Sequence, residues 1–458
     1  MQEADYMIVG AGPAAFAALC GLSKEKTASV IQMSGALLSK LGSGSWLDGG
    51  FGSPSIAAEL GLPQVRAFGA GGTTKLWHGG LFVPNRHDEM LCPEEGIENA
   101  KDLLPHLDRV LTAASGHSNQ LFKALSHVVK VSESNRDVPE SPLRQIYVPR
   151  SRYELTADDF YAVGKHFKRY QLASYAVVDI REINGRLEVL CAGEGGFKVF
   201  HVGRLILAAG VLGSGILLRK LLKLPSLAFS DHYHVFAGVV PSKRVANLSN
   251  EAVKSDGGKY HTSMKFSVKI SDSKMADVLF SFRRVSNPDF PRSGRRFGKF
   301  IGVNALSRTD KFLLLAKNPM TGLEMVAYLW GIELPLEHSL VHATVSLRSH
   351  EGRILPDGVA LNTPRADIVR AIEQAWSGMC STLGMDSAIH APFDQAQISD
   401  SVISGAQFVG TGSNLKDDEH GILDKIIIAD CSRFSFTSVY NQGIVSLAAG
   451  YAAVARKL

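Results

Sequence analysis

The chain has 458 residues, of which 45% are hydrophobic, so it is long enough for two domains with ordinary cores. Its 49 basic and 44 acidic side chains leave a formal charge of +5, too small to indicate a nucleic acid or membrane partner. The five cysteines are scattered and lack C-x-x-C spacing, which argues against a disulfide framework and a zinc knuckle. No signal peptide or membrane-length apolar run is recognised, so we expect a soluble, cytoplasmic protein.

A glycine-rich turn follows the first apolar segment, at residues 10–15, and leads into an Ala- and Leu-rich helical pattern. Gly10 permits the tight turn, Gly12 lets the backbone approach a pyrophosphate, and Ala15 keeps the helix close to the strand. The helix starts near Pro13, where a proline costs no hydrogen bond and the helix N-terminus attracts phosphate. The segment therefore predicts a dinucleotide-binding site.

The acid that usually accompanies such a turn is missing from this sequence. It lies about twenty residues further on, at the end of the second strand, and holds a ribose hydroxyl. The second predicted strand covers residues 28–34 and contains no acid. Gln32 or Ser34 could donate or accept a hydrogen bond in its place, and Gln32 and Met33 are cofactor-binding candidates.

The two ends of the chain read as α/β, whereas the middle reads mostly as strand. Further strands are predicted over 170–181, 185–190, 200–209, 260–270, 278–284, 325–334, 341–347 and 425–430. Helices are predicted over 216–222, 366–383 and 443–457. We therefore predict an α/β fold: a Rossmann-like domain, with a parallel sheet and helices, and an inserted α+β domain with a mostly antiparallel sheet.

Five segments, in the same order along the chain, resemble the glucose-methanol-choline (GMC) oxidoreductase family. They are residues 10–15; the glycine-rich 69–80; the apolar strand and Ala-Ala-Gly within 205–218; Ser-Asp-His at 230–232; and Gly-Thr at 410–411 with the closing segment 424–443. Within that family, Trp77 and the short chain are most similar to the pyranose-oxidase branch. The resemblance implies an FAD-dependent enzyme that oxidises a hydroxyl group of a sugar, glycoside or polyol by hydride transfer to flavin N5.

The resemblance also implies how FAD is bound. Some members attach the flavin to a histidine just before the loop tryptophan, and because that position is Leu76 here we expect non-covalent FAD. Asp430 would accept a ribityl or ribose hydroxyl, and the backbone at Val177 or Val178 would bind adenine. The cofactor-binding candidates are Gly10, Gly12, Pro13, Ala14, Ala15, Gln32, Met33, Gly71, Gly72, Thr73, Thr74, Trp77, His78, Val178, Ala209, Gly210, Asp430, Asn441 and Gln442.

The implied domain boundaries follow the same order. FAD-binding segments would span 1–110, 161–235 and 399–458, the last with the active-site loop, while 111–160 forms an excursion or lid and 236–398 the substrate-binding domain.

The catalytic candidates are Asn441, His78 and Gln407. The family's catalytic histidine lies four positions before the Thr of Gly-Thr, where this chain has Gln407, which cannot act as a base at neutral pH. Asn441 matches the histidine's partner and can orient a hydroxyl. His78 can replace the base, since its pKa range suits proton transfer, and His390 can do so if the alignment near Gln407 slips by a few residues.

Two other interpretations need no replacement base. Gln407 and Asn441 can position a substrate whose oxidation needs little help from a base. Alternatively, the fold serves a non-oxidative flavin reaction, such as that of a lyase or isomerase, or is an inactive relative.

The expected partner is a small-molecule substrate, sugar-like or anionic, and the electron acceptor is left open. A basic segment over 282–300 would recognise a phosphate or carboxylate on the substrate, or is a solvated loop. No metal site is expected, because His338 and His342 are spaced for a helix but lie in strand-like sequence.

Overall fold

The computed structural model describes residues 3–33, 37, 69–72, 74, 81–83, 89–92, 97–116, 119–134, 141–149, 154–222, 226–229, 233–241, 258–271, 274–284, 324–333, 342–350, 353–362, 365–388, 394–396, 403–404, 422–433 and 442–458. The helices are α1 (Pro13–Gly21), α2 (Ala100–Ala113), α3 (Gln120–Ser134), α4 (Ala157–Gly164), α5 (Gly210–Leu221), α6 (Arg365–Thr382) and α7 (Gln442–Lys457), with short 3-10 turns at Ile422–Lys425 and Cys431–Arg433. The strands are β1 (Glu3–Val9), β2 (Thr27–Gln32), β3 (Leu81–Val83), β4 (Glu89–Cys92), β5 (Ile97–Asn99), β6 (Leu143–Pro149), β7 (Arg169–Ser174), β8 (Ala176–Ile183), β9 (Arg186–Gly193), β10 (Gly196–Leu207), β11 (Ser226–Phe229), β12 (Tyr233–Pro241), β13 (Gly258–Ser271), β14 (Lys274–Arg284), β15 (Glu324–Glu333), β16 (His342–His350), β17 (Arg353–Asn362), β18 (Ile403–Ser404) and β19 (Ile426–Ile428).

The first sheet combines segments from both ends of the chain. Its order is β7-β2-β1-β10-β9-β8, and β19 pairs with the carboxyl half of β10. β7, β2, β1, β10 and β19 run parallel, whereas β8, β9 and β10 form an antiparallel meander. The buried ends of β1, β10 and β19 are continuous apolar runs, as expected for parallel strands covered on both faces.

Helix α1 is buried all round and packs closely against α7. Every residue from Pro13 to Cys20 is buried, and most are small. A methyl group added at Gly450 of α7 would lie 2.5 Å from the Ala14 carbonyl oxygen, so the two backbones are in near contact. The C-terminal helix therefore fixes the helix that starts at the first glycine turn.

The second sheet is antiparallel and has the order β18-β12-β15-β14-β13-β6-β3. Helix α6 packs on it through Trp376, whose buried ring meets Phe280 edge to face at 5.9 Å. Gly378 leaves room for the Phe266 ring, since a methyl group there would lie 3.0 Å from it. Smaller sheets are formed by β11-β16-β17 and by β4-β5.

The predicted fold class is confirmed, with a parallel-containing sheet and a separate antiparallel sheet. Most predicted elements differ from the observed bounds by a few residues at one or both ends, among them the following three. The strand predicted over 170–181 is broken at Tyr175, whose amide donates to the Gln32 carbonyl and so follows the end of β2. The helix predicted over 216–222 starts earlier, at Gly210, and the strand predicted over 425–430 is limited to β19 because 3-10 turns flank it.

Of the helices that the structure describes, none combines the length and apolar character needed to cross a lipid bilayer.

Candidate cofactor site

The carboxyl ends of β2, β1, β10 and β19 meet at one edge of the first sheet. Val9 lies opposite Ile31 and Leu207, and Leu207 lies opposite Ile428. Backbone hydrogen bonds extend past the strand ends, from Gly10 N to Ile31 O and from Ala208 N to Val9 O, both at 2.8 Å. In open α/β sheets, ligands bind at this edge.

The first glycine turn combines a crowded position with an open one. Gly10 has φ +116°, and a methyl group there would lie 2.1 Å from the Ala208 carbonyl oxygen, so only glycine fits. Gly12 precedes α1, and no atom of the described residues lies within 4 Å of a methyl group added there. Because no described side chain caps α1, the amides of Ala14 and Ala15 and the positive end of the helix lie beside that open space. This is the geometry of a phosphate site.

A second glycine loop docks on the first. The amide of Gly71 donates to the Ala11 carbonyl at 2.7 Å, and the amide of Gly69 donates to the Met33 carbonyl at 2.7 Å. A methyl group at Gly72 would lie 3.0 Å from the Gly12 Cα. The structure thus brings Gly71 and Gly72 to the first turn, and the Met33 carbonyl is used in docking the loop. Cofactor binding by these residues stays a prediction.

Gln32 lies at the end of β2, where the ribose-binding acid was expected. Its Oε1 is buried and has no hydrogen-bond partner among the described residues, whereas its carbonyl accepts from the Tyr175 amide. A buried acceptor without a donor is costly. A ligand hydroxyl would supply that donor, so this position fits a ribose.

Asp430 follows β19 and is 4% exposed. Its Oδ2 accepts from Ser214 Oγ at 2.5 Å, and its Oδ1 accepts from Ser432 Oγ at 2.6 Å and from Ser432 N at 3.0 Å. Burial raises the pKa of Asp430, and the hydrogen bonds from Ser214, Ser432 and the Gly210 amide oppose that rise. The carboxylate therefore ties the start of α5 to the turn after β19, and its direct contact with a ribityl or ribose hydroxyl stays a prediction.

Sequence reasoning missed Ser214 and Ser432. The spacing of Ser432, two residues after an aspartate, is typical of an Asx turn and could have been noticed. No local pattern marks Ser214, because its partner lies 216 positions away along the chain.

The remaining candidates in the described residues lie at irregular points of the backbone. The β8–β9 pairing shifts register between Val177 and Asp179, which places a bulge at Val178. Ala209 and Gly210 are exposed at the start of α5, and Gly210 has φ +75° with no described atom within 4 Å of an added methyl group. Gly210 leaves room for a ligand, and the roles of all three positions stay predictions.

The catalytic candidates His78, Gln407 and Asn441 lie outside the described residues, as do Thr73, Trp77, Leu76, Ser34, His390, His338 and the side chain of Gln442. Within the described residues, no group of three or more His, Cys, Asp or Glu side chains could hold a metal ion.

Comparison with known proteins identifies the fold. The chain matches no protein-family model and no curated protein sequence. Among solved structures it is similar to pyridoxine 4-oxidase from Mesorbium loti (TM-score 0.53, 13% identity, 99% of this chain and 98% of that one). It is also similar to a fungal aryl-alcohol oxidase (0.54, 13%, 99% and 98%) and to an Aspergillus oryzae formate oxidase variant studied for FAD modification (0.51, 12%, 100% and 98%). The chain has the fold of these oxidases.

Proposed function

We propose that this chain is an FAD-dependent oxidoreductase of the GMC type that oxidises a hydroxyl group of a small molecule. The observation that carries the proposal is the docking of the second glycine loop on the first, next to Gly12, where a methyl group would meet no described atom within 4 Å. The three oxidases that share the fold support it, and they are GMC oxidoreductases. The pyranose-oxidase branch rests on Trp77 and the chain length alone.

The site fits the pyrophosphate and the adenosine half of a dinucleotide. The amides of Ala14 and Ala15 and the backbone at Gly12 and Gly72 would bind the pyrophosphate, which needs donors and close approach. The Oε1 of Gln32 would accept a hydrogen bond from the ribose of the adenosine half. FAD, when bound, supplies an acceptor for a hydride from the substrate carbon.

The catalytic roles are proposed from the sequence. Asn441 would orient the substrate hydroxyl, and His78 would take its proton, because neither Gln407 nor Asn441 can hold one at neutral pH. The substrate would be a sugar, glycoside or polyol, and the arginines of 282–300 would recognise an anionic group if it carries one.

Anaerobic titration tests the proposal. The purified protein should show an oxidised flavin spectrum, and addition of alcohols or sugars without oxygen should bleach it. Turnover with the flavin still oxidised would favour the alternative function, that of a lyase or isomerase. The observation behind this alternative is that Gln407 stands where the family has its catalytic histidine. A protein that neither carries nor binds FAD would contradict both.

Non-covalent attachment is tested separately. Because Leu76 cannot form a bond to the flavin, acid precipitation of the protein should leave all of the flavin in the supernatant. A yellow pellet after washing would contradict this prediction.

A further inference from the structure

Two sets of hydrogen bonds, joined by the backbone of residues 154–156, form a path that connects the second glycine loop to the start of α3. Thr74 begins it: its hydroxyl donates to the Gly71 carbonyl at 2.7 Å and accepts from the Leu155 amide at 3.1 Å. Thr74 is 1% exposed. Its hydroxyl, a cofactor-binding candidate from the sequence, therefore connects two segments of the protein.

The segment 154–156 is in direct contact with the glycine loop. A methyl group at Gly71 would lie 2.1 Å from the Leu155 carbonyl oxygen, and the Leu155 side chain is buried. Since Gly71 has φ +90°, the loop keeps this conformation only with glycine there. Movement of Leu155 would therefore displace Gly71, whose amide holds the Ala11 carbonyl of the first turn.

Asn119 and Asp159 hold both sides of Leu155. Asn119 Nδ2 donates to the Glu154 carbonyl at 2.8 Å and to Asp159 Oδ2 at 2.7 Å. The same Oδ2 accepts from the Thr156 amide at 2.8 Å and from the Thr156 hydroxyl at 2.9 Å. One carboxylate oxygen and one amide nitrogen thus fix residues 154 and 156.

We propose that Thr74, Asp159 and Asn119 are positioning residues that hold the second glycine loop in its cofactor-binding position. The inference rests on the proposed FAD site, because the loop lies against Gly12: a methyl group at Gly72 would be 3.0 Å from the Gly12 Cα. A cofactor then binds a preformed loop and does not have to order it, which favours affinity. Asn119 would affect FAD affinity indirectly, because its hydrogen bonds to Glu154, Asp159 and Leu121 do not involve either glycine loop.

Three variants and a control test the inference. Thr74→Val keeps the shape and removes both hydrogen bonds, while Thr74→Ser keeps the hydroxyl. In wild type, Asn119 Oδ1 accepts a hydrogen bond from the Leu121 amide at 2.9 Å. Asn119→Ser removes the amide donor of the side chain but keeps an oxygen that can accept this bond. Thr112→Val is the control, because the Thr112 hydroxyl bonds the Asp108 carbonyl at 2.9 Å in α2, an exposed bond outside this path.

The first readout is FAD affinity, measured by titration of FAD-free full-length protein. Leaving the buried Leu155 amide without an acceptor should raise the FAD dissociation constant of Thr74→Val by about tenfold. Asn119→Ser should raise the dissociation constant by a smaller factor. Thr74→Ser and Thr112→Val should both have the wild-type dissociation constant. An unchanged dissociation constant in both Thr74→Val and Asn119→Ser would overturn the inference.

The second readout needs no cofactor. Hydrogen–deuterium exchange of the FAD-free protein reports on the Gly69 and Gly71 amides, which bond the Met33 and Ala11 carbonyls. Exchange at 69–72 should be faster in Thr74→Val and in Asn119→Ser than in wild type or Thr112→Val. Faster exchange confined to 154–156 would overturn the inference. If wild type binds no FAD, the proposed function fails while exchange still decides whether this path holds the loop.

Discussion

At the scale of single residues, Asp430 is a buried acid that is stabilised by hydrogen bonds. Three hydrogen bonds from Ser214 and Ser432 reach its two oxygens, yet burial outweighs them and raises its pKa. A buried charge is costly unless it is paired or hydrogen-bonded, and here serine hydroxyls and backbone amides take the place of a basic partner. Asp430 therefore stabilises the backbone at this strand end at some electrostatic cost.

That cost predicts a pH dependence for Asp430→Asn. Because the folded-state pKa of Asp430 lies above its ordinary value of 3.8, this group contributes most stability below that value and loses it as the pH rises through the folded-state pKa. Asparagine does not titrate. Urea unfolding should therefore show the wild-type free energy of unfolding falling relative to that of the variant as the pH rises from about 4.

The control for the Asp430 experiment is Asp424→Asn, which removes one exposed acid six positions earlier. It controls for the loss of one negative charge near the same strand. A wild-type minus Asp430→Asn difference that stays constant as the pH rises would contradict the account.

Gln32 occupies the position at which a ribose-binding acid was expected. The sequence shows an amide where an acid was expected, and the structure shows that its Oε1 lacks a donor among the described residues. A ligand hydroxyl can satisfy a neutral acceptor as well as a carboxylate.

At the scale of elements, the packing of α1 against α7 positions the first glycine turn. The helices approach so closely at Gly450 and Ala14 that no side chain fits between them. The apolar run of α7 was predicted from the sequence, but its partner helix was not, because a contact between the two ends of the chain leaves no local pattern.

Gly450→Ala tests this contact. The added methyl group would lie 2.5 Å from a backbone oxygen that cannot move aside, so we expect a loss of about 1–3 kcal/mol in the free energy of unfolding. Denaturant unfolding measures it. Gly21→Ala is the matched control in the same helix pair, since its methyl group would meet the Tyr451 carbonyl at 3.4 Å, an ordinary contact, and equal effects of the two variants would contradict the account.

Some strands could be predicted from the sequence and others could not. The apolar strands β1, β10 and β19 were predicted because buried parallel strands need continuous hydrophobic runs. β17 was not predicted, since it contains Pro356, Asp357 and Gly358, residues that interrupt strands and are tolerated at a sheet edge. The break at Tyr175 was missed because alternation continues through it.

At the scale of the whole molecule, residues far apart in sequence come together at the candidate site. The sheet edge joins the ends of β2, β1, β10 and β19, and the second glycine loop adds Gly71 and Gly72. The two glycine patterns could be predicted, because each has a local backbone reason. Their mutual contact, and the path through Leu155 to Asn119, depend on tertiary packing and could not.

If FAD binds in the open space at Gly12, a methyl group at that position should weaken its binding, so Gly12→Ala is the decisive variant. Gly12 has φ −89° and no described atom within 4 Å of an added methyl group, so alanine is compatible with the fold. Gly195→Ala is the control, because Gly195 is equally open but lies in the exposed β9–β10 turn.

Isothermal titration of FAD into the FAD-free proteins gives the answer, with urea unfolding to show that both variants fold. We predict that Gly12→Ala keeps the wild-type free energy of unfolding and binds FAD at least about tenfold more weakly, because the methyl group occupies the space of the pyrophosphate. Gly195→Ala should bind FAD as wild type does. A folded Gly12→Ala protein with wild-type affinity for FAD would contradict the account.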